Sequence, residues 1–107
     1  MEYVDERDKK RITDSLTQLR AFSRKPNGTQ AWDEFQVAFG ELGNVVSRLL
    51  VKKPQEDVSF SSGLMELDQY ADRLRFSPDN DEVRRDFEVS LGNIEYRLKR
   101  LFGVGVH

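Results

Sequence analysis

Apolar residues along this 107-residue chain recur every three or four positions, and no stretch alternates with period two, so the pattern predicts helices throughout. Ile12, Leu16, Leu19 and Phe22 form one stripe on a first helix predicted over 5–23. Asp5/Lys9 and Glu6/Lys10 set opposite charges four apart on its wet face, in the favourable order. Lys25-Pro26-Asn27-Gly28 reads as a turn. A second helix is predicted over 30–52, capped by Thr29, with Asp33 and Glu34 early and Arg48, Lys52 and Lys53 late, as the helix dipole favours. Its seam of Trp32, Phe35, Phe39, Leu42, Val46 and Leu49 alternates threes and fours, the spacing of helices packed side by side. Pro54 stops it.

A third helix is predicted over 59–75, surest from Ser61, with Phe60, Leu64, Leu67, Ala71 and Leu74 in line. Pro54-Gln55-Glu56-Asp57 would also make a first turn, which leaves its start ambiguous. Ser77-Pro78-Asp79 reads as cap, first-turn proline and acidic first turn of a fourth helix over 78–102. Its seam is Val83, Phe87, Leu91, Ile94, Leu98 and Leu101; Gly103 closes it, and 103–107 is expected to be a flexible tail.

Residues 35–42, FQVAFGEL, return at 87–94 as FEVSLGNI. Aligning Phe35 with Phe87 pairs Val37 with Val89, Gly40 with Gly92, Leu42 with Ile94, Val46 with Leu98 and Leu49 with Leu101. Upstream, LTQL at 16–19 matches LDQY at 67–70, and Phe-Ser pairs at 22–23 and 76–77 lead into proline-containing turns. A helical hairpin written twice, over 5–53 and 56–103, is the expectation, against the similarity that one helical period imposes on any two amphipathic helices. The predicted fold class is all-α: an antiparallel up-down four-helix bundle built from two similar helical hairpins in a single domain. Turns 24–29 and 77–81 should then meet, with Arg24 and Lys25 facing Asp79, Asp81 and Glu82. A dimer that exchanges hairpins is the alternative.

Composition narrows the function more than it names it. With 37% hydrophobic and 34% charged residues the chain has a globular balance, and no apolar run reaches the roughly 20 residues of a membrane span. The N-terminal MEYVDERDKKRITD has no apolar core of a signal peptide, which points to the cytoplasm. The absence of cysteine removes disulfides and thiolate chemistry. The net charge of −2 argues against a nucleic-acid binder that works by neutralising phosphates. Residues 1–53 hold 10 basic and 8 acidic side chains and residues 54–107 hold 7 and 11, so the halves carry +2 and −4.

Catalytic chemistry finds no foothold. The one histidine, His107, is terminal; Asp33, Glu41, Glu66, Asp68, Asp86 and Glu95 fall off the seams and read as surface carboxylates. Ser61 and Ser62 lack a histidine partner, and the glycines form no phosphate loop. No catalytic residue, metal ligand or cofactor is predicted. Gly40 and Gly43 should permit close helix approach, whereas Gly92 lies on the far side of its seam and hints at a contact. Val37, Val58, Met65, Phe76, Val89 and Tyr96 also point away from the core.

The candidate binding surface is therefore Val89, Gly92 and Tyr96 beside acidic Asp86, Glu88 and Glu95, with Val37 as the recurring counterpart. The functional expectation is a non-enzymatic bundle that binds another protein with a basic surface, as a stoichiometric inhibitor of the immunity-protein or phage-antagonist type. A homodimeric structural module is the second reading. A nucleic-acid accessory protein using Lys9-Lys10-Arg11 with Arg97, Lys99 and Arg100 is the third, and no membrane partner is expected.

Overall fold

A computed structural model describes residues 4–104, which form four helices and, among those residues, no strand. Helix α1 spans Glu6–Arg24, α2 Gly28–Leu49, α3 Pro54–Phe76 and α4 Asp81–Phe102. α1 packs along α2 and α3 along α4, while thinner contacts join α1 to α4 and α2 to α3. The two hairpins thus close an up-down-up-down bundle of 40 × 24 × 21 Å, with α2 and α4 across one diagonal.

Local chemistry sets the helix ends, in several places differently from the prediction. Asp5 caps α1, its carboxylate accepting from the Arg7 N–H at 2.9 Å. α2 begins at Gly28, whose φ of 92° favours glycine, so Thr29 lies inside the first turn and does not cap it. It ends at Leu49 because Leu50 is drawn into the core and closes the helix, donating its N–H to the Val46 carbonyl at 2.9 Å; Lys52 and Lys53 belong to the turn. Pro54 starts α3 well before residue 59: a first-position proline loses no hydrogen bond, and Glu56 and Asp57 follow it at the positive end of the dipole.

Asn80, rather than Ser77, caps α4. Its Oδ1 accepts from the Glu82 and Val83 N–H groups at 3.0 and 3.1 Å, while Ser77 closes α3 by donating its N–H to the Arg73 and Leu74 carbonyls. Gly103 ends α4 in the left-handed conformation, at φ 69°, as predicted. Val104, in the segment expected to be flexible, is buried in the core. His107 lies outside the described residues.

Burial repeats with a period of 52 residues. On the first helix of each hairpin it pairs Ile12 with Leu64, Ser15 with Leu67, Leu19 with Ala71 and Phe22 with Leu74. On the second it pairs Phe35 with Phe87, Ala38 with Ser90, Leu42 with Ile94, Val46 with Leu98 and Leu50 with Phe102. The LTQL/LDQY match is out of this register by one residue, and the Phe-Ser match by two. A one-residue shift turns a helix by 100°, which would carry Leu64 and Leu67 off the core.

Rings fill the junction between hairpins. Phe22 lies 4.8 Å from Phe35 and 5.8 Å from Phe87, and Phe35 and Phe87 meet across the diagonal at 6.1 Å. Trp32 stacks on Phe35, and the Arg75 guanidinium of α3 covers it at 4.2 Å. Polar groups seal α1 to α4: Arg20 pairs with Glu95, and Arg84 Nε donates to the Ser23 carbonyl at 2.8 Å. Arg84 also bonds the Pro78 carbonyl and Asp81. Arg84 thus ties the last turn of α1 to the turn at 77–80 through backbone carbonyls. The expected attraction of Arg24 and Lys25 to Asp79, Asp81 and Glu82 is not among the ion pairs of the described residues, since Asp81 is held by Arg84.

Gly43 faces Leu64 of α3, where an added Cβ would lie in ordinary contact at 3.6 Å. Gly40 and Gly92 face nothing within 4 Å, so close helix packing does not account for either. Replacing each with alanine, Gly40→Ala or Gly92→Ala, is expected to stabilise the dilute protein by about 0.5–1 kcal/mol. Urea unfolding should show a higher midpoint at unchanged slope; a lower midpoint would mean that the space beside the glycine is filled.

Candidate interaction surface

The predicted surface residues divide between two sides of the molecule. Val89 and Tyr96, 59% and 71% exposed, lie on the outward stripe of α4 with Gly92 between them. Asp86 is exposed near them, at the α3 side. Val37, 74% exposed, is on the diagonal helix and belongs to a different surface. There, Val37 and Ala38 floor a groove of about 470 Å³ between α1 and α2, rimmed by Asp14, Asp33, Glu34 and Glu41.

Glu88 and Glu95 turn the other way. Glu95 is largely buried against Arg20 of α1, and Glu88 is half-buried and accepts from Ser23 Oγ at 3.3 Å. Both carboxylates bind the two hairpins together and leave the α4 stripe with a narrower acidic flank than predicted. The first basic cluster is likewise engaged: Lys9 meets Glu6, Lys10 meets Asp14, and Arg11 meets Glu41. Among the described residues, no three His, Cys, Asp or Glu side chains are placed to hold a metal ion.

The 52-residue repeat makes the first hairpin an internal reference for the second. In the first, Arg11 Nε donates to Glu41 at 2.6 Å and Arg48 to the buried Asp8 at 2.6 Å, so two ion pairs strap α1 to α2 across the outer side. The equivalent positions in the second hairpin are Gly63 with Asn93 and Arg100 with Phe60. No strap forms there. A shallow groove of about 260 Å³ remains between α3 and α4, lined by Ser59, Ser62, Gly63, Ser90 and Asn93 together with Phe60, Ile94, Glu66 and Arg97.

Outward positions differ in the same sense. Val58, Met65 and Tyr96 stand where the first hairpin has Glu6, Thr13 and Asn44; Val89 matches Val37. Val58 and Met65 of α3 are thus exposed on the same hairpin as Val89 and Tyr96 of α4. Prediction from one helix at a time missed the groove; comparing the hairpins position by position, Arg11 with Gly63 and Glu41 with Asn93, would have found it.

No protein-family model, curated protein or solved structure matches this chain.

The strap carries its own pH signature. The hydrogen bond from Arg11 holds the Glu41 carboxyl below its ordinary 4.5, against the desolvation that pushes it up, and Arg11 is raised in turn by the same bond. A carboxyl lowered by folding contributes stability in full above its unfolded value, and loses it as pH falls through the folded value. Glu41→Gln should therefore melt slightly below the parent at neutral pH, with the gap closing as the solution is acidified below 4.5. Thermal unfolding at a series of pH values reads this; a gap that persists in acid would contradict it.

Proposed function

We propose that this chain is a non-enzymatic binding protein that docks another protein chain on the outer side of its second hairpin. The observation that carries the reading is the contrast between hairpins that share one core pattern. Where the first is strapped by ion pairs, the second has an unstrapped groove lined by small and polar side chains with Phe60 and Ile94, and its two helices expose Val58, Met65, Val89 and Tyr96. The second hairpin folds on the same core pattern without such a strap. Contact with a partner gives that difference a reason: apolar centres, small groove residues and a charged rim are what a docked helix or loop needs.

Stoichiometric occlusion of the bound surface, as by an immunity protein or antagonist, is the mode of action consistent with a small bundle of this kind. With Glu88 and Glu95 turned inward, the surface mixes acidic Glu66, Glu82 and Asp86 with basic Arg97, Lys99 and Arg100. A partner with mixed charge fits it better than a uniformly basic one.

Val89→Asp combined with Tyr96→Asp should leave helicity and melting close to the parent, since both side chains are exposed. Capture of a protein partner from the native host should fall about tenfold or more, as when a central anchor is lost. Val37→Asp, on the opposite side, should leave capture unchanged. Equal loss from both variants, or from neither, would reject this surface.

A further inference from the structure

The groove between α1 and α2 has two acidic ends and an apolar middle. Glu34 and Glu41 lie about two turns apart on α2, about 10 Å of helix, and Val37 and Ala38 floor the space between them. Asp33 adjoins Glu34. Asp14 comes from α1: the straps Arg11–Glu41 and Arg48–Asp8 run that helix antiparallel to α2 and set Asp14 about level with Gly40, beside Glu41. Among the described residues, no basic side chain lines the groove.

Ser15 and Gln18 fall between the two ends, on the α1 wall. Ser15 is 4% exposed, and among the described residues its hydroxyl makes no hydrogen bond, unlike Thr17 and Ser23 of the same helix, which bond the Thr13 and Arg20 carbonyls. No wholly enclosed side-chain oxygen or nitrogen of those residues is left without a partner, so the Ser15 hydroxyl opens onto the groove. There it offers a ligand both a donor and acceptors.

We propose that this groove binds a linear aliphatic polyamine. One terminal ammonium lies at Asp33 and Glu34 and the other at Asp14 and Glu41, while the methylene chain covers Val37 and Ala38. An amine within the chain meets Ser15 and Gln18. Extended chains reach about 3.3–3.6 Å for every three bonds, so about nine bonds between the terminal nitrogens, the length of spermidine, match the groove. Its volume of about 470 Å³ is in the range of small-molecule sites.

The two ends are unequal. Among the described residues no cation lies within ion-pair distance of Asp33 or Glu34, and Glu34 accepts from Gln30 at 3.2 Å. Lys10 holds Asp14 at 3.0 Å, but both side chains are largely exposed, and a pair of that kind is weak enough for a second ammonium to share the carboxylate. Glu41 keeps its bond to Arg11, so Asp33 and Glu34 form the stronger end.

The second hairpin supplies the comparison. It folds on the same core pattern with Leu67, Tyr70, Arg85 and Asn93 in the places of Ser15, Gln18, Asp33 and Glu41, which removes the buried hydroxyl and breaks both acidic ends. The polyamine site belongs to the first hairpin alone, and it does not rest on the docking surface proposed for the second.

Isothermal titration of the full chain with spermidine tests the site, at neutral pH in about 0.1 M salt, where charges more than about 10 Å apart are screened. One molecule should bind per chain with a Kd of about 0.1–1 mM, and putrescine, too short to span both ends, about tenfold or more weakly. Asp33→Asn with Glu34→Gln should weaken spermidine about tenfold or more, as should Val37→Lys, which sets an ammonium of the protein's own in the groove. Asp68→Asn with Asp79→Asn removes as much charge from exposed positions elsewhere and should leave binding within about twofold. All these side chains are exposed, so circular dichroism should show the parent's helicity in each variant.

A parent protein that takes up no spermidine well above that concentration range overturns the proposal, and so does putrescine bound as tightly as spermidine. Equal weakening by the groove pair and by Asp68→Asn with Asp79→Asn means diffuse attraction of a polycation to an acidic protein, and overturns it too.

Discussion

Phe35 and Phe87 meet across the bundle diagonal with Phe22 against both, and this junction fixes the rotation of the helices that carry the rest of the surface. Two residues along a helix is a turn of 200°, so rings that point into the shared core send Val37 and Val89 outward. The recurrence of FQVAFGEL as FEVSLGNI thus has two components. Phe35/Phe87 and Leu42/Ile94 serve one core; Val37/Val89 and Gly40/Gly92 are left outside it, on helices that lie diagonally opposed.

The same junction accounts for the polar seal between hairpins. Once the rings set the approach of α1 to α4, Arg20 lies against Glu95 and the Ser23 carbonyl lies within reach of Arg84. Charge on the flanks of α4 is consumed in holding the bundle together, while charge at the ends of its outward stripe is not part of that seal. The polar seal and the exposed apolar stripe thereby lie on different sides of one helix. The first hairpin spends the corresponding side on itself, with Arg11 on Glu41 and Arg48 on Asp8.

Much of this was legible in the sequence because helical periodicity is a strong signal. The α1 and α3 core stripes are buried as predicted, and so are Phe35, Leu42 and Val46 of the α2 seam and Phe87, Leu91, Ile94 and Leu98 of the α4 seam, while Trp32, Phe39, Leu49, Val83 and Leu101 are partly buried against the core. Helix ends were less legible where several capping residues adjoin: Ser77 and Asn80 are both competent, and the choice is settled by Arg84 and the end of α3. On the surface, Val37, Val89 and Tyr96 were found by their angle alone. Glu88 and Glu95 were not, because a carboxylate at a seam edge faces water or a neighbouring helix according to what that helix offers. The deciding residue for Glu95, Arg20, is 75 positions away.

On the proposed function, the outer side of the second hairpin is covered when the protein is at work. Met65 of α3 and Tyr96 of α4 are exposed on that hairpin and are readily oxidised, so hydroxyl-radical footprinting can report on it without knowledge of the partner. Footprinting in native-host extract, compared with the dilute purified chain, should show both residues protected and Val37 unchanged. Equal labelling of Met65 and Tyr96 in the two states, or protection centred on Val37, would contradict the claim.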